Sequence, residues 1–388
     1  MSFEYIMNKN INEKILIIYL PTGSGHLSNA KALKAEFVRQ GYSDVKLYDP
    51  ISPFSALGKF LMGTGYMIAS QKIPMIWNLI YRGDESRLGC CLTHLIGLVF
   101  SFYGMLKICR EYKPTRIVCT HAIPVYAVKY CAKKYRIPVS IVITDPFDPP
   151  RVWWDGHTFD LFCYSKEAGH WLEQHGVPAR RIHTYNLLVQ GKYFTPMKQD
   201  QIAAFMFNEG FDPEKPLVLM VGGGDGLPKA IKIFRRLVIS KKDFQLAVIC
   251  GRDIDTYNIL TLLSIAYEKK RTIRIYGFVS TVYELMNSAH IVIIKAGPSV
   301  IAEALALKKP MLIASSLPGQ EWPNIHWVTK HQLGFYCYKP SLVKKRVEEL
   351  LQDPIKYDRL KQKLKQYDFK NTLPTMAGDI LTINRVMH

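Results

Sequence analysis

Short apolar runs alternate along this chain with stretches in which apolar residues recur every three or four positions. The runs of the first half are KILIIYL (14–20), RIVCTH (116–121), VSIVIT (139–144) and DLFCYS (160–165). Those of the second are PLVLMVG (216–222), FQLAVICG (244–251), IRIYGFV (273–279), IVIIKAG (291–297) and PMLIAS (310–315). Most are continuous and β-branched rather than alternating, the pattern of parallel strands covered by helices on both faces. Strands interleaved with helical stretches predict a doubly wound α/β architecture. Two glycine loops, PTGSGH (21–26) and GGGDG (222–226), each end a strand, and each would open its own Rossmann-like unit. The stretch 192–215 carries no strand signal and reads as linker plus helix. The 388 residues therefore divide into domains 1–194 and 195–388, with the C-terminal helix a candidate to cross back.

Residues 51–110 break the alternation with a run of Met and aromatic residues that includes Phe54, Phe60, Met62, Tyr66, Met67, Met75 and Trp77. The nineteen residues LGCCLTHLIGLVFSFYGML (88–106) contain one readily ionised side chain, His94. Length alone makes this a borderline membrane span. Glycines at 89, 97 and 104, and a position between strands of one domain, favour a buried or interfacial helix over membrane-dipping or spanning.

Charge adds a partner to this picture. Fifty-one Lys and Arg stand against 32 Asp and Glu, a formal net charge of +19. The basic residues come as pairs and triplets such as Lys241-Lys242 and Lys344-Lys345-Arg346, with no zinc-finger, RNP or basic-zipper pattern. An anionic membrane surface is favoured over a merely soluble basic surface, and both over nucleic acid. The eight cysteines contain no CxxC pair, so neither a zinc site nor a disulfide framework is expected, and a reducing compartment is the plain reading. The first ten residues lack a basic region followed by an apolar one, so no signal peptide is expected.

The candidate chemistry sits after the strands. A glycine loop that opens a helix turns backbone N–H groups toward a phosphate. GGGDG fits that role, although it is neither a Walker A loop nor a full GxGxxG, and a purely structural turn is the alternative. KAGPSVIAEAL (295–305) opens a second helix, and Glu303 lies one to two turns in, within reach of a ribose diol. Gln320, Glu321 and Asn324 are expected at the end of the next strand, on the same carboxyl edge of the sheet, where ligands of open α/β sheets bind.

These segments, together with ITDPFDPPRVWW (143–154), YGFVSTVYELMNSAHIVIIKAGPSVIAEAL (276–305) and PGQEWPN (318–324), resemble the GT-B glycosyltransferases. The family in question includes plant-type monogalactosyldiacylglycerol synthase and bacterial diacylglycerol glucosyltransferases. The resemblance implies a GT-B fold, two Rossmann-like domains facing each other across a cleft. It implies an inverting UDP-sugar:1,2-diacylglycerol 3-β-glycosyltransferase, galactosyl favoured over glucosyl because the triple glycine looks most like the plant-type synthases. The donor would be a UDP-sugar, with no further cofactor and no bound metal. Gly222, Gly223, Gly224, Asp225 and Gly226, with Ala296, Gly297, Pro298 and Ser299, would hold the diphosphate. Glu303 would hold the ribose, Gln320 and Glu321 would read the sugar hydroxyls assisted by Asn324, and Phe278 would lie near the uracil. Gly25 and Trp153 fall on the acceptor side.

The resemblance places His26 at a helix start facing the cleft, as general base or as a ligand of the donor diphosphate or acceptor headgroup. Asp145 and Asp148 are the rival bases. Anionic lipids would attract the chain, with part of 51–110 meeting the bilayer, to the cytoplasmic or organellar face of a membrane as a peripheral enzyme. Three positions depart from the pattern: Pro21 replaces an acidic residue, Pro150 a histidine, and Asn186-Leu187-Leu188 the G-x-P hinge. A related transferase acting on another lipid, or a non-catalytic UDP-sugar-binding protein, are the alternatives.

Overall fold

The computed structural model describes residues 13–22, 25–65 and 73–383. Gly23 and Ser24 of the first glycine loop, and Tyr66 and Met67 of the apolar stretch, lie outside the described residues. The chain divides into two units, one running to Leu188 and resuming at Thr372, the other Val189–Asn371. The division falls between Leu188 and Val189, and the last helix is counted with the first unit.

The first unit holds β1 (Ile15–Ile18), β2 (Val45–Tyr48), β3 (Arg116–Cys119), β4 (Val139–Val142), β5 (Asp160–Cys163) and β6 (Ile182–Thr184). They form one sheet in the order β2-β1-β3-β4-β5-β6, every pair parallel. Its helices are α1 (Gly25–Arg39), α2 (Ala56–Phe60), α3 (Pro74–Gly83), α4 (Arg87–Tyr112), α5 (Val125–Tyr135) and α6 (Lys166–Gln174). The second unit holds β7 (Leu217–Val221), β8 (Gln245–Ile249), β9 (Ile273–Tyr276), β10 (Ile291–Lys295), β11 (Met311–Ser315) and β12 (Gly334–Tyr336), ordered β12-β11-β10-β7-β8-β9 and again parallel. α7 (Gln199–Asn208) precedes them, and between them run α8 (Ala230–Val238), α9 (Ile254–Ile265), α10 (Val282–Ser288), α11 (Pro298–Ala306) and α12 (Trp322–Lys330). After β12 come α13 (Pro340–Gln352), α14 (Pro354–Gln366) and α15 (Leu373–Thr382). Each sheet is a doubly wound, Rossmann-like layer. Central strands are buried along their whole length, as in β7 and β11, which is why their sequences are unbroken apolar runs. Truncating one such residue, Ile293 for instance, costs about 2–5 kcal/mol.

The chain's last helix is tied into the first unit by polar contacts. Arg116, 2% exposed at the start of β3, donates to the carbonyls of Ile380 (2.9 Å), Ile383 (2.5 Å) and Leu381 (3.0 Å). A cation there satisfies the orphan carbonyls of the end of α15 and complements its dipole. Tyr185 also donates to Asp379 at 2.7 Å.

α4 has two faces. Cys90, His94, Gly97, Ser101, Gly104, Met105 and Ile108 point inward at helical spacing. A Cβ at Gly97 would collide with the carbonyl of Ile123, and one at Gly104 with that of Pro50, so both glycines permit close backbone approach. His94 is buried against Tyr126, ring centroids 4.2 Å apart, and burial pushes its pKa down to about 4. The other face carries Leu88, Leu92, Leu95, Val99 and Tyr103, between 58% and 86% exposed. α4 is long and apolar enough to cross a membrane by composition, yet it packs one face into the unit and leaves one apolar face uncovered.

Candidate active site

In the first unit the chain leaves β1 toward β2 on one side, and β3 begins the run on the other. That reversal is the topological switch point, the place where open α/β sheets bind ligands. α1 follows β1 there, held on the sheet by Ala30, Leu33 and Phe37, all fully buried. His26 is its second residue, with Gly25 just before it. Thr120 and His121 follow β3, and Thr144 and Asp145 follow β4, so three strand ends converge on His26.

His26 Nδ1 lies 3.0 Å from the Thr120 carbonyl oxygen and 3.0 Å from Thr144 Oγ1. A carbonyl only accepts, so Nδ1 carries the proton and Nε2 keeps its lone pair. Burial lowers the His26 pKa below the usual 6.5, against the upward pull of Asp145 and of the Thr120 carbonyl. His121 stands 4.3 Å from it, ring to ring. There the Ile123 N–H reaches Nδ1 at 3.1 Å and Nε2–H serves Thr22 Oγ1 at 2.7 Å. Burial and the His26 imidazole hold His121 well below its ordinary pKa, so the two rings meet as neutral groups.

The rival carboxylates differ in availability. Asp145 is buried and accepts the Trp153 indole N–H at 2.5 Å. Trp153 is itself 2% exposed, bound to Asp145 and stacked toward the His26 ring at 6.4 Å between centroids. Asp148 is pushed up to about 7 by burial first, then by Asp145 and Glu85. Asp84, which accepts from Thr93 at 2.6 Å, is pushed up to about 6 by burial and Asp145. The buried Tyr81 hydroxyl, without a hydrogen-bond partner among the described residues, is raised by burial and by these same carboxylates. Arg151, the one basic residue of the segment 143–154, is engaged by Asp155 at 3.0 Å.

In the second unit the switch point lies between β7 and β10. The loop Gly222–Gly226 follows β7, and α11 follows β10. Gly223 and Gly226 sit at φ +86° and +80°, the left-handed region that glycine adopts freely. A Cβ at Gly222 would strike the carbonyl of Gly226. The loop is therefore folded tightly onto itself, with Asp225 turned to Arg252, whose Nη2 donates to it at 2.7 Å. Arg252 also stands 5.8 Å over the ring of Phe278, an aromatic 70% exposed after β9.

Gly297 precedes α11, Pro298 is its first residue and Ser299 its second. The first-turn N–H groups of such a helix lack intrahelical partners and suit an anion. Ala296 is clamped by its own N–H to Ser315 (2.8 Å) and by Asn324 Nδ2 on its carbonyl (2.8 Å). Asn324 Oδ1 and Ser299 Oγ are buried without a hydrogen-bond partner among the described residues, and are placed to take a ligand's polar groups. Glu303 is partly buried, interacts with the Tyr193 hydroxyl, and is pushed up to about 7 by burial. Gln320 lies in the turn after β11, beside Glu321. Glu321 is engaged twice, by Lys295 Nζ at 3.0 Å and the Leu317 N–H at 2.7 Å. Asn324 belongs to α12 rather than to the strand end where it was expected.

Thr120, His121, Tyr81 and Tyr193 lie outside the site motifs, and Thr144 and Lys295 lie within them without having been singled out. The Thr-His pair closing RIVCTH was the available signal for His121, at the carboxyl end of a buried strand. Tyr193 lies in a stretch read as linker and carried none.

Residues 26–189 match the family of monogalactosyldiacylglycerol (MGDG) synthase, and 201–367 match glycosyl transferases group 1. Monogalactosyldiacylglycerol synthase of spinach (Spinacia oleracea) is 25% identical over 356 residues, 87% of this chain and 66% of the spinach protein. The chain thus spans slightly under two thirds of that relative's length. A processive diacylglycerol β-glucosyltransferase of Bacillus cereus is 26% identical over 380 residues, 95% of this chain and 92% of that one. Among solved structures, Acinetobacter baumannii MurG superposes with a TM-score of 0.62 at 12% identity, covering 96% of this chain and all of the other (100%). The chain has the GT-B fold, and over most of its length its sequence resembles the monogalactosyldiacylglycerol synthases and bacterial diacylglycerol glucosyltransferases.

Proposed function

We propose that this chain transfers a hexose from a UDP-sugar to the 3-hydroxyl of 1,2-diacylglycerol with inversion, making a monoglycosyldiacylglycerol at a membrane surface. Galactose is the favoured sugar. The observation that carries the reading is the His26 geometry: a neutral imidazole, oriented by Thr120 and Thr144, with Nε2 unprotonated at the sheet's switch point. In the proposed step Nε2 takes the acceptor hydroxyl proton while that oxygen bonds to the anomeric carbon. The bond from that carbon to the diphosphate breaks on the opposite face, and UDP leaves with its charge held by the loop 222–226 and the start of α11. Asp145 keeps its bond to Trp153 and favours the imidazolium that forms.

Two further observations support parts of this reading. The carboxyl groups of Asp84, Asp145 and Asp148 near the base favour a neutral hydroxyl acceptor over a phosphorylated one, which they would repel. The exposed apolar row of α4 and the +19 charge suit a peripheral enzyme on the cytoplasmic or organellar face of an anionic membrane. The test offers radiolabelled UDP-galactose and UDP-glucose in parallel to the protein on anionic vesicles containing diacylglycerol. Label in the lipid fraction from one donor supports the reading and names the sugar. UDP-sugar binding without label transfer would contradict it and favour a non-catalytic binder.

A further inference from the structure

The donor side of the second unit contains a tyrosine from the short turn that opens that unit. Tyr193 lies on a short 3₁₀ turn, Gly191–Phe194, just past the division at Val189. It is 4% exposed, and its hydroxyl interacts with the Glu303 carboxyl. The ring is fixed edge-on against Tyr283, centroids 5.4 Å apart, and the Tyr283 hydroxyl in turn donates to the Thr195 carbonyl. Lys192 Nζ stands over both rings, at 5.7 Å and 5.2 Å. The tyrosine is therefore immobilised before it meets the carboxylate.

A carboxylate has two oxygens and accepts several hydrogen bonds. A donor locked on one oxygen fixes the rotamer and leaves the other oxygen for a ligand hydroxyl. We propose that Tyr193 is a positioning residue of the nucleotide site, holding Glu303 in the orientation that accepts the ribose hydroxyls of the donor. The inference rests on the reading of Glu303 as the ribose ligand. It goes beyond that reading by making the turn Gly191–Phe194 a working part of the site.

Calorimetric titration of UDP-glucose and UDP-galactose into the full chain tests it, with Tyr193→Phe, Glu303→Ala and the double variant. Tyr193→Phe keeps the ring against Tyr283 and removes only the hydroxyl. About tenfold weaker binding is expected, the size of one hydrogen bond to a charged group. Glu303→Ala should weaken binding more, and adding Tyr193→Phe to it should then cost nothing further, since the hydroxyl acts through Glu303. The pH profile supplies a readout that packing alone would not move. The groups facing Glu303 are Tyr193 and Lys192, with Glu284 beside Tyr193, and the diphosphate diester of a UDP-sugar does not titrate between pH 5 and 8. Loss of the hydroxyl should shift the midpoint of binding to higher pH. Equal losses with and without Glu303, or no loss at all, would overturn the proposal. Unchanged binding in Glu303→Ala alone would instead overturn the ribose assignment on which it rests.

Discussion

His26 Nδ1 and the Thr120 carbonyl oxygen stand 3.0 Å apart, joining the first turn of α1 to the end of β3 across the switch point of the first sheet. The contact does chemical work because a carbonyl cannot donate. It fixes the tautomer, and burial keeps the ring neutral. The pH dependence of turnover follows. A base must be unprotonated, so kcat falls as the pH drops through its pKa, and for His26 that limb lies below pH 6.5. Were Asp148 the base, the limb would lie near its raised value of about 7. A kcat profile at saturating donor separates the two.

Donor binding has its own pH limb. Glu303 is pushed up to about 7, so below that pH its carboxyl is protonated and accepts hydroxyl hydrogen bonds less well. The KM for the UDP-sugar should rise as the pH falls through 7, while kcat holds until the His26 limb. A KM flat from pH 8 to 6 would contradict the assignment.

Gly222→Ala should cost about tenfold or more in UDP-sugar affinity. Its Cβ would strike the Gly226 carbonyl, and the loop cannot close around a diphosphate without it. Gly297→Ala meets nothing nearer than 3.5 Å and has an ordinary φ of −69°, so the fold should be unaffected. Thermal melts and calorimetry on both variants check the contrast.

Charges on the uncovered face of α4 should release the protein from membranes. Leu88→Glu, Leu92→Glu and Val99→Glu together place carboxylates at sites 86%, 58% and 66% exposed. Sedimentation with anionic vesicles should drop by tenfold or more, and donor affinity should stay unchanged. Vesicle binding that survives all three would remove α4 from the membrane account.

The buried histidine of α4 should make the first unit acid-labile. His94 titrates near 6.5 when unfolded and at about 4 when folded, so the unfolded chain binds the extra proton first. Stability is full above pH 6.5 and declines as the pH falls toward 4, by about 3 kcal/mol for this group. His94→Phe keeps an aromatic partner for Tyr126 and should flatten that part of the urea-stability profile.

Much of this architecture is legible in the sequence, and the gaps have a common cause. Each continuous apolar run forms a strand, and all of these but the partly buried edge strand β9 are covered along most or all of their length. β2, β6 and β12, whose sequences VKLY, IHT and GFY give no such run, lie at sheet edges and are only partly buried. The glycines of 222–226 and the start of α11 announced themselves because helix ends and tight turns need particular residue types. Contacts made by backbone atoms or by distant side chains did not. The Thr120 carbonyl carries no signature, and the pairing of Tyr193 with Glu303 spans 110 positions of chain. Glu321 shows the converse, a sugar ligand by motif whose carboxylate is engaged by Lys295 and the Leu317 N–H.

The central claim is that His26 drives transfer from a UDP-sugar to diacylglycerol. The most direct measurement compares the chain with His26→Ala, following label transfer to lipid and UDP-sugar binding in the same preparations. We expect transfer to fall by about 10²–10⁴-fold with binding essentially unchanged. Transfer that persists in His26→Ala, with binding intact, would contradict the account and move the base to Asp148.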